Sequence, residues 1–317
     1  GTATAGVQVD LQFGQATGGE GNDRLISIEG VIGTDFGDVL VGSSVDNFFR
    51  GLQGDDRIDG AGGIDRAGYD RSNGSVQVSL LTGTSSGADG NDTLRNIENL
   101  RGGDFADTLE GDNAGNDIEG RGGDDVLRGL GGRDLLKGEA GNDRLEGGDS
   151  QDTLRGGAGD DVLDGGAHQT LFEHDYADYT DATGGVTVDL VAGVGTGAGV
   201  GRDTLIGIEA VLGSQHGDTL LGSADHNLFN PGAGDDRMVG GDGYDIVGYW
   251  DASGPVQIDM RTGRVTGASG NDTLDGFEGA LGTAHADVIT GDAGNNFIRG
   301  DAGDDSLDGG DGFDRAA

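Results

Sequence analysis

Residues 156–166 read GGAGDDVLDGG: five glycines, three aspartates and only two large apolar side chains, Val162 and Leu163. Glycine loses more backbone entropy on folding than any other residue. Neighbouring carboxylates repel, and one leucine in nine residues cannot fill an ordinary core. Taken alone, such a stretch has no reason to fold.

The rest of the chain has the same character. Of 317 residues 70 are Gly, 33% are apolar and 5% aromatic, which leaves too little apolar volume for the two-domain protein that length alone would suggest. The formal charge of −39 argues against nucleic acid or an anionic membrane as partner and favours cations. With no cysteine, neither disulfides nor thiolate sites hold the chain together, and oxygen-ligand sites remain. No apolar run reaches the roughly 18 residues of a membrane span, so no membrane insertion is expected. The opening GTATAGVQVDL lacks the regions of a signal peptide, so any export signal is expected outside this segment, which reads as part of a longer array.

Two periods organise the chain. VQVDL (7–11), VQVSL (76–80), VTVDL (186–190) and VQIDM (256–260) open four copies of about seventy residues, the second enlarged by about forty. The expected modules are 1–67, 68–175, 176–247 and 248–317, running on as one continuous solenoid. The shorter period is nine: Asp107, Asn116, Asp125, Asp134, Asp143, Asp152 and Asp161 follow one another at that step, each with Leu or Ile two residues on. Glu29, Glu98, Glu209 and Glu278 occupy the same phase. Six residues before each Glu stands a further G-x-D-x-L, at Asp23, Asp92, Asp203 and Asp272. Fourteen G-x-D-x-apolar matches keep these phases, too many for chance.

Residues 156–164, GGAGDDVLD, resemble the GGxGxDxUx nonapeptide of the repeats-in-toxin (RTX, hemolysin-type) calcium-binding family, as do 120–164, 51–67, 231–247 and 300–316. The resemblance implies an all-β fold, a parallel β-roll in which GGxGxD forms a loop, xUx a short strand, and two nonapeptides one coil. It also implies multiple calcium ions, each between loops eighteen residues apart and held by aspartate carboxylates and backbone carbonyls. On that reading Arg121, Gly123 and Asp125 face Gly138, Ala140 and Asp143. Leu130, Gly132 and Asp134 face Gly147, Asp149 and Asp152, and Glu139, Gly141 and Asp143 face Gly156, Ala158 and Asp161. Further ligands are expected at Asp56, Asp65, Asp236, Asp245, Asp305 and Asp314, and at Asp23, Asp92, Asp203 and Asp272.

Other positions depart from the motif. Phe36, Phe105, His216 and His285 replace the loop glycine before Asp38, Asp107, Asp218 and Asp287; their rings are expected to fill the ion's space and weaken calcium there. Asn47, Asn116, Asn227 and Asn296 bring an oxygen without charge, so their loops should also bind weakly. The four glutamates fit either as ligands or as caps for backbone N–H groups. His168, Glu173 and His174 crowd an enlarged loop before Asp175, which reads as a surface protrusion more readily than as a transition-metal site. Between each V-x-V-D-L segment and the next G-x-D-x-L the phase breaks, and bulged, wider coils are expected there, with Leu11, Leu80, Leu190 and Met260 pointing inward.

No residue set suggests catalysis, because every carboxylate pair shares one repeating environment whereas acid–base work needs two different ones. The resemblance implies a calcium-binding structural region of a secreted or cell-surface bacterial protein, adhesin-like, exported unfolded by type I secretion machinery and folding on calcium outside. A tail of a secreted protease, lipase or alginate epimerase and a self-assembling surface-layer or filament protein are the alternatives.

Overall fold

The computed structural model describes residues 3–18, 21–167 and 173–317, and within them every regular element is a strand. None of the described residues forms a helix long and apolar enough to cross a membrane. The chain divides into two compact units, Gly1–Asp152 and Thr153–Ala317.

In the first unit, strands alternate along the chain between two sheets. One sheet includes Val39–Val41, Arg57–Asp59, Thr108–Glu110, Val126–Gly131 and Arg144–Asp149; the other has Gly30–Ile32, Phe48–Arg50, Arg66–Gly68, Asn99–Arg101, Asp117–Gly122 and Leu135–Ala140. Two nonapeptides therefore make one coil. Successive strands of one sheet are parallel and place like on like: Leu109 beside Leu127 beside Leu145, and Leu100 beside Ile118 beside Leu136. The x-U-x pattern explains this. Alternate side chains of a strand point to opposite faces, so the central residue turns inward while its polar neighbours meet solvent. Leu40, Phe49, Ile58, Leu100, Leu109, Ile118, Leu127, Leu136 and Leu145 are at most 1% exposed, each stabilised by roughly 1.5–3 kcal/mol of apolar burial. The core is two such columns of side chains, and nothing wider is needed.

The second unit repeats the scheme. Leu163, Leu205, Leu220, Met238, Leu274 and Ile289 line one sheet, and Leu154, Ala177, Val211, Phe229, Val247, Ala280 and Ile298 line the other, all buried. Phe229 meets the edge of Phe277 at 6.0 Å.

The spacers are built differently from the bulge expected. In the second copy, Val76–Ser79 pairs antiparallel with Thr84–Gly87, which pairs antiparallel with Thr93–Arg95. Only the outer two of these strands rejoin the parallel sheet, on Thr108–Glu110 and Arg57–Asp59. The extra residues thus fold as a ribbon inside the sheet. Its turn needs a left-handed residue, supplied by Gly83 at φ 66° and in the other copies by Gly14, Gly193 and Gly263 at 61–64°. Leu11, Leu80, Leu190 and Met260 sit at these turns, half-buried, and do not line a widened core. A hairpin lets the inserted residues pair their backbone N–H and C=O groups within the sheet, fully along Val76–Ser79 and at Thr84 against Thr93.

Candidate metal centres

Each strand is preceded by a loop that ends on a residue of the nine-residue phase, and these residues stack into ladders along each unit. At many steps an aspartate carboxylate accepts the backbone N–H of the ladder residue eighteen positions before it. The N–H of Asp107 reaches Oδ1 of Asp125 at 2.7 Å, Asp125 reaches Asp143 at 2.8 Å, and Asp134 reaches Asp152 at 2.8 Å. Asp56 and Asp65 receive Asp38 and Asn47 in the same way, Asp236 and Asp245 receive Asp218 and Asn227, and Asp305 and Asp314 receive Asp287 and Asn296. The loops themselves stack in register, Arg121 beside Glu139, Gly122 beside Ala140, Leu130 beside Gly148 and Gly131 beside Asp149.

The second carboxylate oxygen divides the loops into two kinds. Oδ2 of Asp56, Asp65, Asp125, Asp134, Asp236 and Asp245 is buried with no hydrogen-bond donor. Each of these loops has positive φ four and two residues before the aspartate: Leu52 and Gly54, Ala61 and Gly63, Arg121 and Gly123, Leu130 and Gly132, Gly232 and Gly234, Gly241 and Gly243. That geometry turns the fourth-preceding N–H away from the carboxylate, and we call these loops open. In the loops of Asp38, Asp107, Asp218 and Asp287 neither position has positive φ, and Oδ2 accepts the N–H of Thr34, Gly103, Ser214 or Thr283 at 2.6–2.7 Å. Hydroxyls of Thr34, Ser214 and Thr283 close further on the same carboxylates. These loops are closed.

Burial without a donor raises a carboxylate's pKa, because the charged form loses water and gains nothing. Asp125 is pushed up to about 8, Asp56, Asp134 and Asp236 to about 7, and Asp65 and Asp245 to about 6; desolvation is the largest cause in each, partly offset by the ladder N–H. A cation beside Oδ2 would remove this penalty. The space for one has a second oxygen. A Cβ placed on Gly120 would meet both Oδ2 of Asp125 and the carbonyl of Gly138, and one on Gly129 would meet Oδ2 of Asp134 and the carbonyl of Gly147. The same convergence beside Gly33 involves Asp38 and Gly51, but there Oδ2 already holds the Thr34 N–H. Hard oxygen donors, several from backbone, suit calcium and not zinc. The residues therefore fit the ion that the motif implies. The Ala140 carbonyl accepts the Gly123 N–H at 3.0 Å, which leaves one lone pair for a metal. None of the described residues forms a cluster of three His, Cys, Asp or Glu side chains able to hold a metal.

The chain matches the family described as RTX calcium-binding nonapeptide repeat (4 copies) over residues 32–67, 101–136, 137–167, 212–247, 263–280 and 281–316, well over half its length. It belongs to the RTX calcium-binding nonapeptide repeat family. No curated protein matches it as an individual relative.

Within the RTX fold, consecutive open loops in one ladder are the geometry expected for a full site. In the first unit Asp125 and Asp143, and likewise Asp134 and Asp152, are joined as neighbours in a ladder by an N–H to Oδ1 bond. In the second unit the loop before Asp161 has positive φ at Gly157 and Gly159. Glu139, Gly141 and Ser150 share that positive φ, whereas the side chain of Asp149 is exposed and offers only backbone.

The spacer aspartates are different. Oδ1 of Asp92 and Asp272 accepts the N–H of Asp56 and Asp236. Oδ2 of Asp92 accepts the Tyr69 hydroxyl at 3.0 Å and Ser85 Oγ at 2.7 Å, and Oδ2 of Asp272 accepts the Tyr249 hydroxyl at 2.9 Å. Asp203 accepts the Asp161 N–H, while Asp23 lies exposed opposite Ala16. Tyr69 and Tyr249, which end D-x-A-x-Y and D-x-V-x-Y segments, were not expected in this role.

Three of the glutamates act as caps. Glu98, Glu209 and Glu278 accept the N–H of Asp65, Asp175 and Asp245 at 2.7–3.2 Å. The Asn47, Asn116 and Asn227 amides donate to the carbonyls of Glu29, Glu98 and Glu209. One expectation about the closed loops needs a different cause: Phe36, Phe105, His216 and His285 point outward and are exposed, so their rings do not fill an ion's space. Those loops are closed by N–H and hydroxyl donors instead. Of the crowded loop before Asp175, His168 lies outside the described residues.

Proposed function

We propose that this chain is a calcium-binding structural region of a secreted or cell-surface bacterial protein, adhesin-like, which leaves the cell unfolded through type I secretion machinery and folds on meeting calcium. The observation that carries this reading is the set of buried, donorless Oδ2 atoms in the open loops. At neutral pH those carboxylates oppose folding unless a cation meets them. In a calcium-poor cytoplasm a chain of net charge −39 stays extended and threadable; outside, each independent site at a hundredfold excess of ion over its Kd adds about 2.7 kcal/mol. Asp125, Asp134, Asp143 and Asp152 are the first-choice ligands, with Asp56, Asp65, Asp236 and Asp245 beside them.

Far-UV circular dichroism during a calcium titration tests the reading. The chain is expected to be largely disordered in chelator and β-rich in millimolar calcium. Magnesium does not substitute, because it demands a smaller octahedral shell. A β-rich spectrum in excess chelator at neutral pH, unchanged by calcium, would overturn it.

A further inference from the structure

Resting on the calcium reading, the geometry points to a division of labour among the ladder loops: the closed loops and the tyrosine-clamped spacer loops carry their own substitute for the cation and bind none, so Asp92 and Asp272 are structural clamps. A calcium ion in such a coil has two tasks, to neutralise the inner carboxylate oxygen and to tie neighbouring backbone oxygens together. In the spacers the first task is done by hydroxyls. Tyr69, 5% exposed, and Tyr249, fully buried, each aim an O–H at the Oδ2 that is bare in an open loop, and Ser85 adds a second donor to Asp92. At Asp38, Asp107, Asp218 and Asp287 a backbone N–H does it, with help from Thr or Ser at three of the four.

The asparagines do the second task. The amide of Asn47, Asn116 or Asn227 spans one coil to the carbonyl of Glu29, Glu98 or Glu209, a tie that a carboxylate could make only through a metal. The closing N–H donors of Thr34, Gly103, Ser214 and Thr283 recur at corresponding places in the four copies, whereas the bare oxygens of Asp56, Asp65, Asp125, Asp134, Asp236 and Asp245 lie in the nonapeptide loops between the spacers. Calcium dependence is thus written locally, loop by loop, and the spacer coils act as metal-free joints between metal-dependent stretches.

The full chain, purified with calcium, supplies the test by counting bound ions with native mass spectrometry and by thermal unfolding in saturating calcium. Asp125→Asn should lose an ion. Asp272→Asn should keep the wild-type count, since the amide oxygen still accepts the tyrosine hydroxyl. Tyr249→Phe should also keep the count yet lower the thermal midpoint by about 3–8 °C, because a buried carboxylate oxygen loses its donor. Tyr69→Phe and Ser85→Ala should do the same in the first unit, with a combined effect different from their sum because they share one acceptor. Loss of an ion on Asp272→Asn, or an unchanged midpoint on Tyr249→Phe, overturns the proposal, as does an unchanged count on Asp125→Asn. A wild-type chain that carries no ion at all is a distinct result, which removes the calcium reading itself.

Discussion

Replacing Asp125 by Asn should act with opposite signs in the presence and absence of calcium. Asp125 is 1% exposed, its Oδ1 is held by the Asp107 N–H, and its Oδ2 has no donor. Burial raises its pKa from 3.8 to about 8 in the metal-free fold. A folded-state pKa above the unfolded one favours folding with the proton on. That contribution is complete below pH 3.8 and is lost progressively as pH rises toward 8. At pH 7 the metal-free fold therefore carries a penalty of about three pKa units, on the order of 4 kcal/mol at most. Asn removes the charge and keeps the oxygen that accepts the Asp107 N–H. Its amide can donate toward the nearby Gly138 carbonyl, as Asn116 does toward Glu98. In chelator the variant should therefore gain β-structure and resist urea better than the parent chain. In calcium it has lost a ligand charge, and its calcium midpoint should rise about tenfold or more, the equivalent of ~1.4 kcal/mol. The assay is urea unfolding and calcium titration followed by far-UV circular dichroism on the same samples. A variant that is less stable in both conditions, or more stable in both, would refute the assignment of Asp125 as a carboxylate that waits for a cation.

The same linkage predicts that chelator-treated wild type regains β-structure on acidification from pH 8 to about 4.5, as the raised carboxylates of Asp56, Asp125, Asp134 and Asp236 take up protons; a flat pH profile in chelator speaks against it. Asp143→Ala should raise the calcium midpoint and lower cooperativity more than Asp38→Ala does, because Asp143 stands next to another open loop whereas Asp38 has its oxygens closed by Thr34 and Val7; equal effects contradict the ranking. Gly54→Ala should be costly, since Gly54 sits at φ 128° with the Phe36 and Gly37 backbone against its open side, whereas Gly294→Ala meets mainly the Asp292 carboxylate. Urea midpoints should separate the pair by the equivalent of about 1–2 kcal/mol or more, and similar values for both would sink the steric argument.

The coil was legible because its determinants are local and periodic. A nine-residue step with one apolar residue per strand specifies which side chain turns inward, and eighteen residues return the chain to the same sheet. The ladder aspartates were legible for the same reason. The state of each loop was less so. Whether Oδ2 of Asp38 or of Asp56 finds a donor depends on φ at Thr34 or Leu52 four residues earlier, and a residue type only biases that angle. A non-glycine two residues before the aspartate was the available sign; Gly294, two residues before Asn296, marks its limit, since the Asn296 Oδ1 also accepts the fourth-preceding N–H, that of Asp292. The in-sheet hairpins were missed because the valine strands keep the nine-residue phase and so resemble another coil. Gly14, Gly83, Gly193 and Gly263 in corresponding places were the turn signal. The tyrosine clamps were invisible in one dimension, since Tyr69 and Asp92 meet only after the ribbon between them has folded back.

The two ladders of a unit are not interchangeable. In the first unit one contains Asp38, Asp56, Asp92, Asp107 and Asp125, while the other runs Glu29, Asn47, Asp65, Glu98, Asn116 and Asp134. A duplication of nine residues would move every later strand to the opposite sheet and set each glutamate or asparagine where an aspartate belongs. A duplication of eighteen leaves all registers intact and adds a coil whose neighbours cannot distinguish it from themselves. Such a gene can lengthen or shorten by copying errors of a whole coil at almost no cost to what is already folded, and errors of half a coil are purged. The enlarged second copy, with its unbroken run of nonapeptides from Asp107 to Asp161, is what that asymmetry would leave behind.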